Sequence, residues 1–206
     1  MRRKMITIGC LMSIAALPSL AELPFLKPSS PYSGVRIIET TEGAFQQTVY
    51  WTPQKVRTET ELSGMSMTNI VREDLGVMWI SNPMMGGCLE QTIEGADELA
   101  QMGGNMIDPD NVDYEEIGSE EIDGLQTTKY HVTDTEGGTQ HEAVFWVTEE
   151  NILVRMEIEP DEAVSNESFT MRLTDLKLGP QPDDLFESPG NCQKMPAMPG
   201  LPPQGR

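Results

Sequence analysis

The sequence is poor in basic residues and in histidine. Lysine and arginine together number 14 against 33 aspartates and glutamates, and the only histidines are His131 and His141. At a formal net charge of −19 the chain repels phosphate groups, so we expect neither nucleic acid nor an anionic membrane surface as a partner. The acidic excess is interpreted as a solvated surface.

The recognisable motifs of catalysis are missing as well. The stretch Gly64-Met-Ser-Met-Thr68 lacks the second glycine of a nucleophile elbow, and no second histidine follows His141 at the spacing of a zinc-protease helix. The sequence contains neither a phosphate-binding loop nor a dinucleotide fingerprint. Because catalysis needs a nucleophile, a base or a metal in a recognisable set, we predict that the protein is not an enzyme and uses no cofactor.

Two stretches are weak candidates for metal binding. The acidic Asp108-Pro-Asp-Asn-Val-Asp113 lacks the glycine and the glutamate of a calcium loop, so a solvated turn is the better interpretation. Met65-Ser-Met67 and Met84-Met85 carry thioethers, which suit Cu(I), but methionines on one face of a strand ordinarily fill a core. We predict no metal site and keep copper handling as a distant alternative.

Only one apolar run is long enough to raise the question of a membrane. Residues 5–17 follow Arg2-Arg3-Lys4 and precede Ser19-Leu-Ala21, which is the pattern of a signal peptide cleaved after Ala21. The run falls short of the ~20 residues that a transmembrane anchor needs. We therefore predict that residues 1–21 are a signal peptide, that the formal charge becomes −22 on its removal, and that the mature protein is periplasmic and not an integral membrane protein.

Two cysteines, Cys88 and Cys192, remain once the leader is removed. An even number in an exported chain favours a disulfide, because the compartments outside the cytoplasm are oxidising. Closing a loop of roughly 100 residues would stabilise the fold by about 4–5 kcal/mol on the chain-entropy model. Two free thiols are the alternative.

Most of the remaining sequence has the two-residue alternation of β-strands. We predict a mainly β protein with about ten strands and one short helix near Gly95 to Met102, where apolar residues recur at helical spacing. Residues 22–31 are predicted to form an irregular arm, and residues 191–206 a disordered, proline-rich tail. The predicted strands occupy residues 33–40, 45–51, 55–62, 65–73, 77–80, 114–121, 126–132, 142–148, 152–158 and 169–176.

The apolar positions of these strands predict one shared inner face. One helix of about two turns cannot cover ten strands, so we expect the sheet to curve strongly over itself as a half-barrel. The pattern is compatible with a filled core and with an open cavity that holds a hydrophobic ligand. The predicted lining residues are Val49, Trp51, Val56, Trp79, Val154, Met156, Phe169 and Met171.

Several short motifs resemble the periplasmic lipoprotein-carrier superfamily, the LolA/LolB-like half-barrels, and especially its uncharacterised bacterial relatives. The resemblance spans most of residues 32–190 and implies an unclosed, curved antiparallel sheet whose hydrophobic concavity receives acyl chains. This chain departs from the transport members in helix content, because it has one weak helix where a helical lid is expected. The motifs are Tyr32-Ser-Gly-Val-Arg36, Lys55-Val-Arg-Thr-Glu59, Tyr114-Glu-Glu-Ile-Gly118, Ile122-Asp-Gly124, Thr128-Lys-Tyr130, Phe145-Trp-Val-Thr148, Val154-Arg155 and Leu185-Phe-Glu-Ser-Pro189.

These observations together predict non-catalytic binding of a lipid, an acyl chain or a lipidated partner within a single domain at residues 32–190. The alternative is an envelope sensor or scaffold that binds another protein, such as a lipoprotein, through a sheet edge or the acidic face.

Overall fold

The structure is a computed structural model that describes residue 25 and residues 27–62, 64–93, 112–136, 139–158 and 168–195. These residues form 12 β-strands and short 3₁₀ turns at Glu73–Leu75, Pro83–Met85 and Asp183–Phe186. The predicted leader and the predicted helix at residues 95–102 lie outside the described residues. The strands are β1 (Tyr32–Thr40), β2 (Gly43–Thr52), β3 (Lys55–Leu62), β4 (Met65–Arg72), β5 (Val77–Asn82), β6 (Gly87–Thr92), β7 (Val112–Ile122), β8 (Leu125–Glu136), β9 (Thr139–Thr148), β10 (Leu153–Ile158), β11 (Phe169–Leu178) and β12 (Gln193–Lys194).

All 12 strands belong to one open sheet. Their order is β12-β6-β5-β4-β3-β2-β1-β11-β10-β9-β8-β7, and every pairing is antiparallel except that of β12 with β6. The chain thus makes two meanders, β1–β6 and β7–β11, which are joined through the pairing of β1 with β11. The predicted fold class, a mainly β protein with a strongly curved antiparallel sheet that does not close, is confirmed.

The junction of the two meanders depends on a residue without a side chain. A Cβ at Gly34 would lie 2.8 Å from Cδ1 of Leu173 on β11, so glycine lets the leucine lie across the backbone of β1. The register between the strands shifts between Ser33 and Val35, opposite Asp175, which has a φ of +52°. A bulge of this kind increases the local twist of a sheet, and here it lies at the seam of the two meanders.

Two strands were not predicted from the sequence. No strand was predicted between residues 81 and 113, but the 3₁₀ turn Pro83–Met85 leads into β6, which pairs with β5 along its whole length. The side chain of Asn82 accepts a hydrogen bond from the backbone N–H of Met84 at 2.8 Å and closes this turn. Strand β12 lies within residues 191–206, which were predicted to be a disordered tail.

The buried side chains form two clusters on opposite faces of the sheet. The larger cluster occupies the face that we call the inner face, which carries Val49, Val56 and Met156. The smaller cluster lies on the outer face of β4–β6 around Ile70 and Trp79. It is covered by residues 179–195, which we call the C-terminal strap.

Candidate functional site on the inner face

The inner face is a continuous apolar surface that crosses the junction of the meanders. In the first meander the register aligns Trp51 with Val56, Val56 with Val71, and Val71 with Met78. In the second it aligns Phe145 with Met156 and Met156 with Met171, and Met171 lies opposite Ile38 of β1. Since side chains on one face of a sheet repeat every second residue, these rows meet in one cluster. The two rows together form the candidate site.

The structure brings seven of the predicted lining residues together. Six of them are buried in the inner cluster, and Phe169 packs at its margin as a partly buried side chain. The six buried residues are Val49, Trp51, Val56, Val154, Met156 and Met171.

Trp79 is placed differently from the prediction. It lies opposite Ile70 in the register and packs on the outer face with Phe186 and Cys88, so it does not share the inner face. The reason is that β5 is covered on both faces, with Met78 buried on one side and Trp79 on the other. An apolar run buried on both faces gives no alternation from which its inward side could be deduced.

A polar row crosses the inner face between the apolar residues. Arg36, Gln47 and Thr60 lie opposite one another on β1, β2 and β3. The Nη1 of Arg36 donates to Oε1 of Gln47 at 3.3 Å, and Nε2 of Gln47 donates to Oγ1 of Thr60 at 3.2 Å. The Nη2 of Arg36 also reaches the hydroxyl of Tyr32 at 3.4 Å. Sequence reasoning missed this row, although Arg36 has the same strand parity as Tyr32 and Ile38.

Arg36 is only 6% exposed, which is unusual for a guanidinium. Taking a charge out of water is costly unless hydrogen bonds and opposite charges compensate it. The inner face thus combines an apolar surface with a buried guanidinium group that donates hydrogen bonds to Gln47 and Tyr32.

The irregular arm contributes one anchor to the far end of the inner face. Phe25 is buried and packs edge-to-face on Phe145, with ring centroids 5.0 Å apart, and on Tyr114 at 5.8 Å. Tyr130 completes this aromatic group, and burial raises the pKa of its phenol above the ordinary value. Phe25 thus ties the start of the described chain to β7, β8 and β9.

On the opposite, outer face, the C-terminal strap covers β3 to β6 of the first meander. Phe186 of the strap is 0% exposed and packs against Ile70 and Trp79. The predicted Cys88–Cys192 disulfide is confirmed, with 4.3 Å between the Cα atoms. Arg57 and Arg72 donate from Nη1 to the carbonyls of Leu185 at 3.0 Å and Phe186 at 3.2 Å. With this face covered, the inner face is the better candidate for ligand binding on the first meander.

Two carboxylates, one on the strap and one on the neighbouring strand β6, accept hydrogen bonds on the outer face. Lys55 donates to Asp183 at 2.8 Å, and this bond lowers the pKa of Asp183. The indole Nε1 of Trp79 donates to Oε2 of Glu90 at 2.9 Å, and this bond is the main cause of the lowered pKa of Glu90. Trp79 therefore stabilises the outer face through a hydrogen bond to Glu90 as well as through apolar packing.

The described residues show no group of three or more His, Cys, Asp or Glu placed to hold a metal ion. Nε2 of His131 lies 3.5 Å from Oε2 of Glu142, which is a pair and not a metal-ligand set. Within the described part of the chain, no helix is long and apolar enough to cross a membrane.

No protein-family model matches this chain, and no curated protein matches it. Solved structures do match. An uncharacterised conserved protein from Thermus thermophilus is 12% identical with a TM-score of 0.55, and the match covers 81% of this chain and 90% of that one. MucB is 15% identical with a TM-score of 0.56, over 82% of this chain and 61% of MucB.

MucB matches equally well in the Pseudomonas aeruginosa MucA/MucB complex, with 16% identity and a TM-score of 0.56 over 88% of this chain and 64% of that one. This chain therefore spans a little under two thirds of the MucB chains. The Mycobacterium tuberculosis lipoprotein LppX is a weaker match, with 15% identity and a TM-score of 0.42 over 71% of this chain and 86% of that one. These distant likenesses are likenesses of fold alone.

Proposed function

We propose that this protein binds a lipid, an acyl chain or a lipidated partner on the inner face of its sheet, in the periplasm and without catalysing a reaction. The observation that carries the proposal is the continuous apolar cluster across both meanders of an open sheet. Binding sites for hydrophobic ligands are mostly apolar with a few placed polar groups, and the inner face has this composition.

The polar row gives the proposed ligand a direction. An acyl tail would lie along apolar residues such as Trp51 and Met156, and its anionic group would lie at Arg36. A guanidinium pairs well with carboxylate and phosphate because its planar donors match their oxygens. The buried charge of Arg36 therefore favours a fatty acid or a phospholipid over a neutral hydrocarbon.

The likeness to MucB is compatible with a role in binding. MucB has been solved in complex with MucA, so a protein of this fold forms a complex with another protein. This supports non-catalytic binding as the general class of function, while the choice of a lipid depends on the inner face of this chain.

Native mass spectrometry of the gently purified mature protein tests the proposal. We expect a lipid to co-purify with the protein. After this lipid has been removed, each protein molecule should bind one molecule of palmitate. In the Arg36→Gln variant we expect palmitate to bind about 10- to 100-fold more weakly, since a hydrogen bond to a charged group contributes about 1.5–3 kcal/mol. Hexadecanol, which has the same tail without the charge, should bind both proteins alike.

Arg172→Gln is the matched control, because Arg172 is an exposed arginine of the neighbouring β11. It removes the same charge while leaving the polar row intact, so its affinity for palmitate should not change. Circular dichroism establishes that both variants are folded. An empty purified protein that binds neither palmitate nor hexadecanol would refute the proposal, and equal losses in the two variants would refute the role of Arg36.

A further inference from the structure

The two edges of the sheet differ in what covers them. At one edge β12 pairs with β6, and the disulfide fixes it there. At the other edge β7 pairs with β8, and no described strand lies along its free side. All seven residues from Glu115 to Glu121 are exposed. An edge strand of this kind presents a row of backbone N–H and C=O groups to a partner chain.

Contacts from the paired side hold β7 in its extended form. The indole Nε1 of Trp146 reaches across β8 and donates to Oε2 of Glu120 at 2.7 Å. Oγ1 of Thr127 donates to the carbonyl of Glu120 at 2.7 Å, and Nε2 of Gln126 donates to Glu121 at 3.0 Å. The strand is therefore already ordered, which reduces the conformational entropy that a binding partner would have to overcome.

The charge of β7 determines which partner can bind there. Its sequence, Val112-Asp-Tyr-Glu-Glu-Ile-Gly-Ser-Glu-Glu-Ile122, contains five carboxylates and no basic residue. Among the described residues, none of the salt bridges uses a carboxylate of β7. A second copy of the same strand would place like charges opposite one another, which is destabilising. A basic strand would place opposite charges there instead.

An exposed apolar residue adds a contact for the partner. Ile117 is 45% exposed beside the register shift between Glu116 and Gly118, where Gly118 has a φ of +143°. β7 pairs regularly with β8 from Val112 to Glu116 and again from Gly118 onward. Along its other side, β7 therefore offers two short strand segments, one before and one after Ile117. An extended chain that alternates basic and apolar residues matches such an edge.

We propose that the free edge of β7 binds an extended, basic segment of another protein by β-strand addition. The backbone edge of β7 would supply the hydrogen bonds, and Asp113 and Glu115, which lie on one face of the strand, would select lysine or arginine in the added strand. This interaction surface lies at the edge of the sheet, so it does not depend on whether the inner face holds a lipid.

The test uses a seven-residue peptide, Thr-Lys-Val-Lys-Val-Lys-Thr, and an otherwise identical peptide with glutamate at each lysine. The readout is amide hydrogen exchange and chemical shift of the full mature protein by NMR. With the lysine peptide we expect alternate amides of β7 to become protected, and the protection to disappear in 1 M salt, where charges are screened within about 3 Å. The glutamate peptide should protect none of them.

Two double variants that remove the same amount of charge distinguish peptide binding at the edge of β7 from nonspecific attraction to an acidic protein. Asp113→Asn with Glu115→Gln, which lie on one face of β7, should weaken binding of the lysine peptide about tenfold or more, on the basis of two lost charged contacts at roughly 0.7 kcal/mol each. Glu39→Gln with Glu42→Gln removes the same charge at exposed positions of the β1–β2 hairpin and should leave the affinity unchanged. Equal weakening by both pairs, protection of amides other than those of β7, or protection by the glutamate peptide would each overturn the proposal. So would a dimer that forms through β7 without any peptide.

Discussion

The two meanders close their outer faces by different means. Over β4–β6, the C-terminal strap buries Phe186 and is fixed by a disulfide. Over β8–β10 the described chain has no such strap, and Trp146 lies between two cations, with Lys129 Nζ and Arg155 Cζ each 4.7 Å from its ring. Trp146 is nevertheless only 3% exposed. The first meander therefore relies mainly on apolar burial and a covalent bond, with charged hydrogen bonds from Lys55, Arg57 and Arg72 as a smaller contribution, and the second relies on charge.

This difference predicts different sensitivities. Apolar burial and a disulfide are little affected by salt, but the disulfide responds to reductant. Cation–π contacts and charged hydrogen bonds weaken when salt screens them. A change that affects one meander should therefore leave the other largely intact, and the following variants test that separation in order of expected effect.

Removal of the disulfide should have the largest effect. Cys88→Ser with Cys192→Ser opens a loop of 104 residues, for which the chain-entropy model gives a loss of about 4–5 kcal/mol in the free energy of unfolding. Urea unfolding measures the loss, and hydrogen exchange should show lost protection in β6 and β12 before β8 and β9. Reductant should not destabilise the variant further. Uniform loss of protection across the sheet would contradict the separation.

Trp146→Phe should have an intermediate effect, confined to the second meander. It removes the hydrogen bond from Nε1 to Glu120 and part of the cation–π attraction, together worth about 1–2 kcal/mol. Because both contacts are electrostatic, the difference from the wild type should shrink in 1 M salt. Trp51→Phe is the control, since Trp51 stacks on Tyr32 with ring centroids 5.9 Å apart, and its effect should not depend on salt.

Asp183→Asn should have the smallest effect. Lys55 lowers the pKa of Asp183 in the folded state, so the ionised carboxylate stabilises the strap above the pKa of the unfolded chain. That contribution is lost as the pH falls through the lowered pKa, and it is small because the side chain is exposed. Urea unfolding should separate variant and wild type at pH 7 and bring them together below pH ~3. Asp184→Asn is the control, and a pH-independent difference for Asp183→Asn would contradict the explanation.

The alternation of residues was sufficient to predict most strands and their internal faces. Val154 and Met156 on β10 and Phe169 and Met171 on β11 were predicted to line one interior, and the register pairs Met156 with Met171. Such strands are covered on one face only, so their sequence records which side is buried.

Strand β6 and the position of Trp79 could not be read in the same way. Gly87-Cys-Leu-Glu-Gln-Thr92 has no clear alternation, and it forms a strand because the turn at Pro83–Met85 returns it to β5. Trp79 lies in a run that is buried on both faces, so the strap determines which cluster it joins. Both outcomes depend on contacts that the local pattern of residues does not record.

The polar row of the candidate site was missed for a related reason. An arginine in a strand is ordinarily interpreted as exposed, since charged side chains are rarely buried. Arg36 is buried because its strand parity places it on the inner face, where Gln47 of β2 and the hydroxyl of Tyr32 accept its hydrogen bonds. The register of β1 with β2 creates these contacts, and the local sequence does not record it.

The sequence by itself determined the β class of this protein and the parity of side chains within each one-sided strand, because these features are local. Only the tertiary structure decided that Arg36 is buried, that Trp79 faces outward, and that β12 covers one edge of the sheet while β7 leaves the other free of any described strand. Each of these depends on which distant strand or strap lies against a residue, and a two-residue alternation carries no information about that.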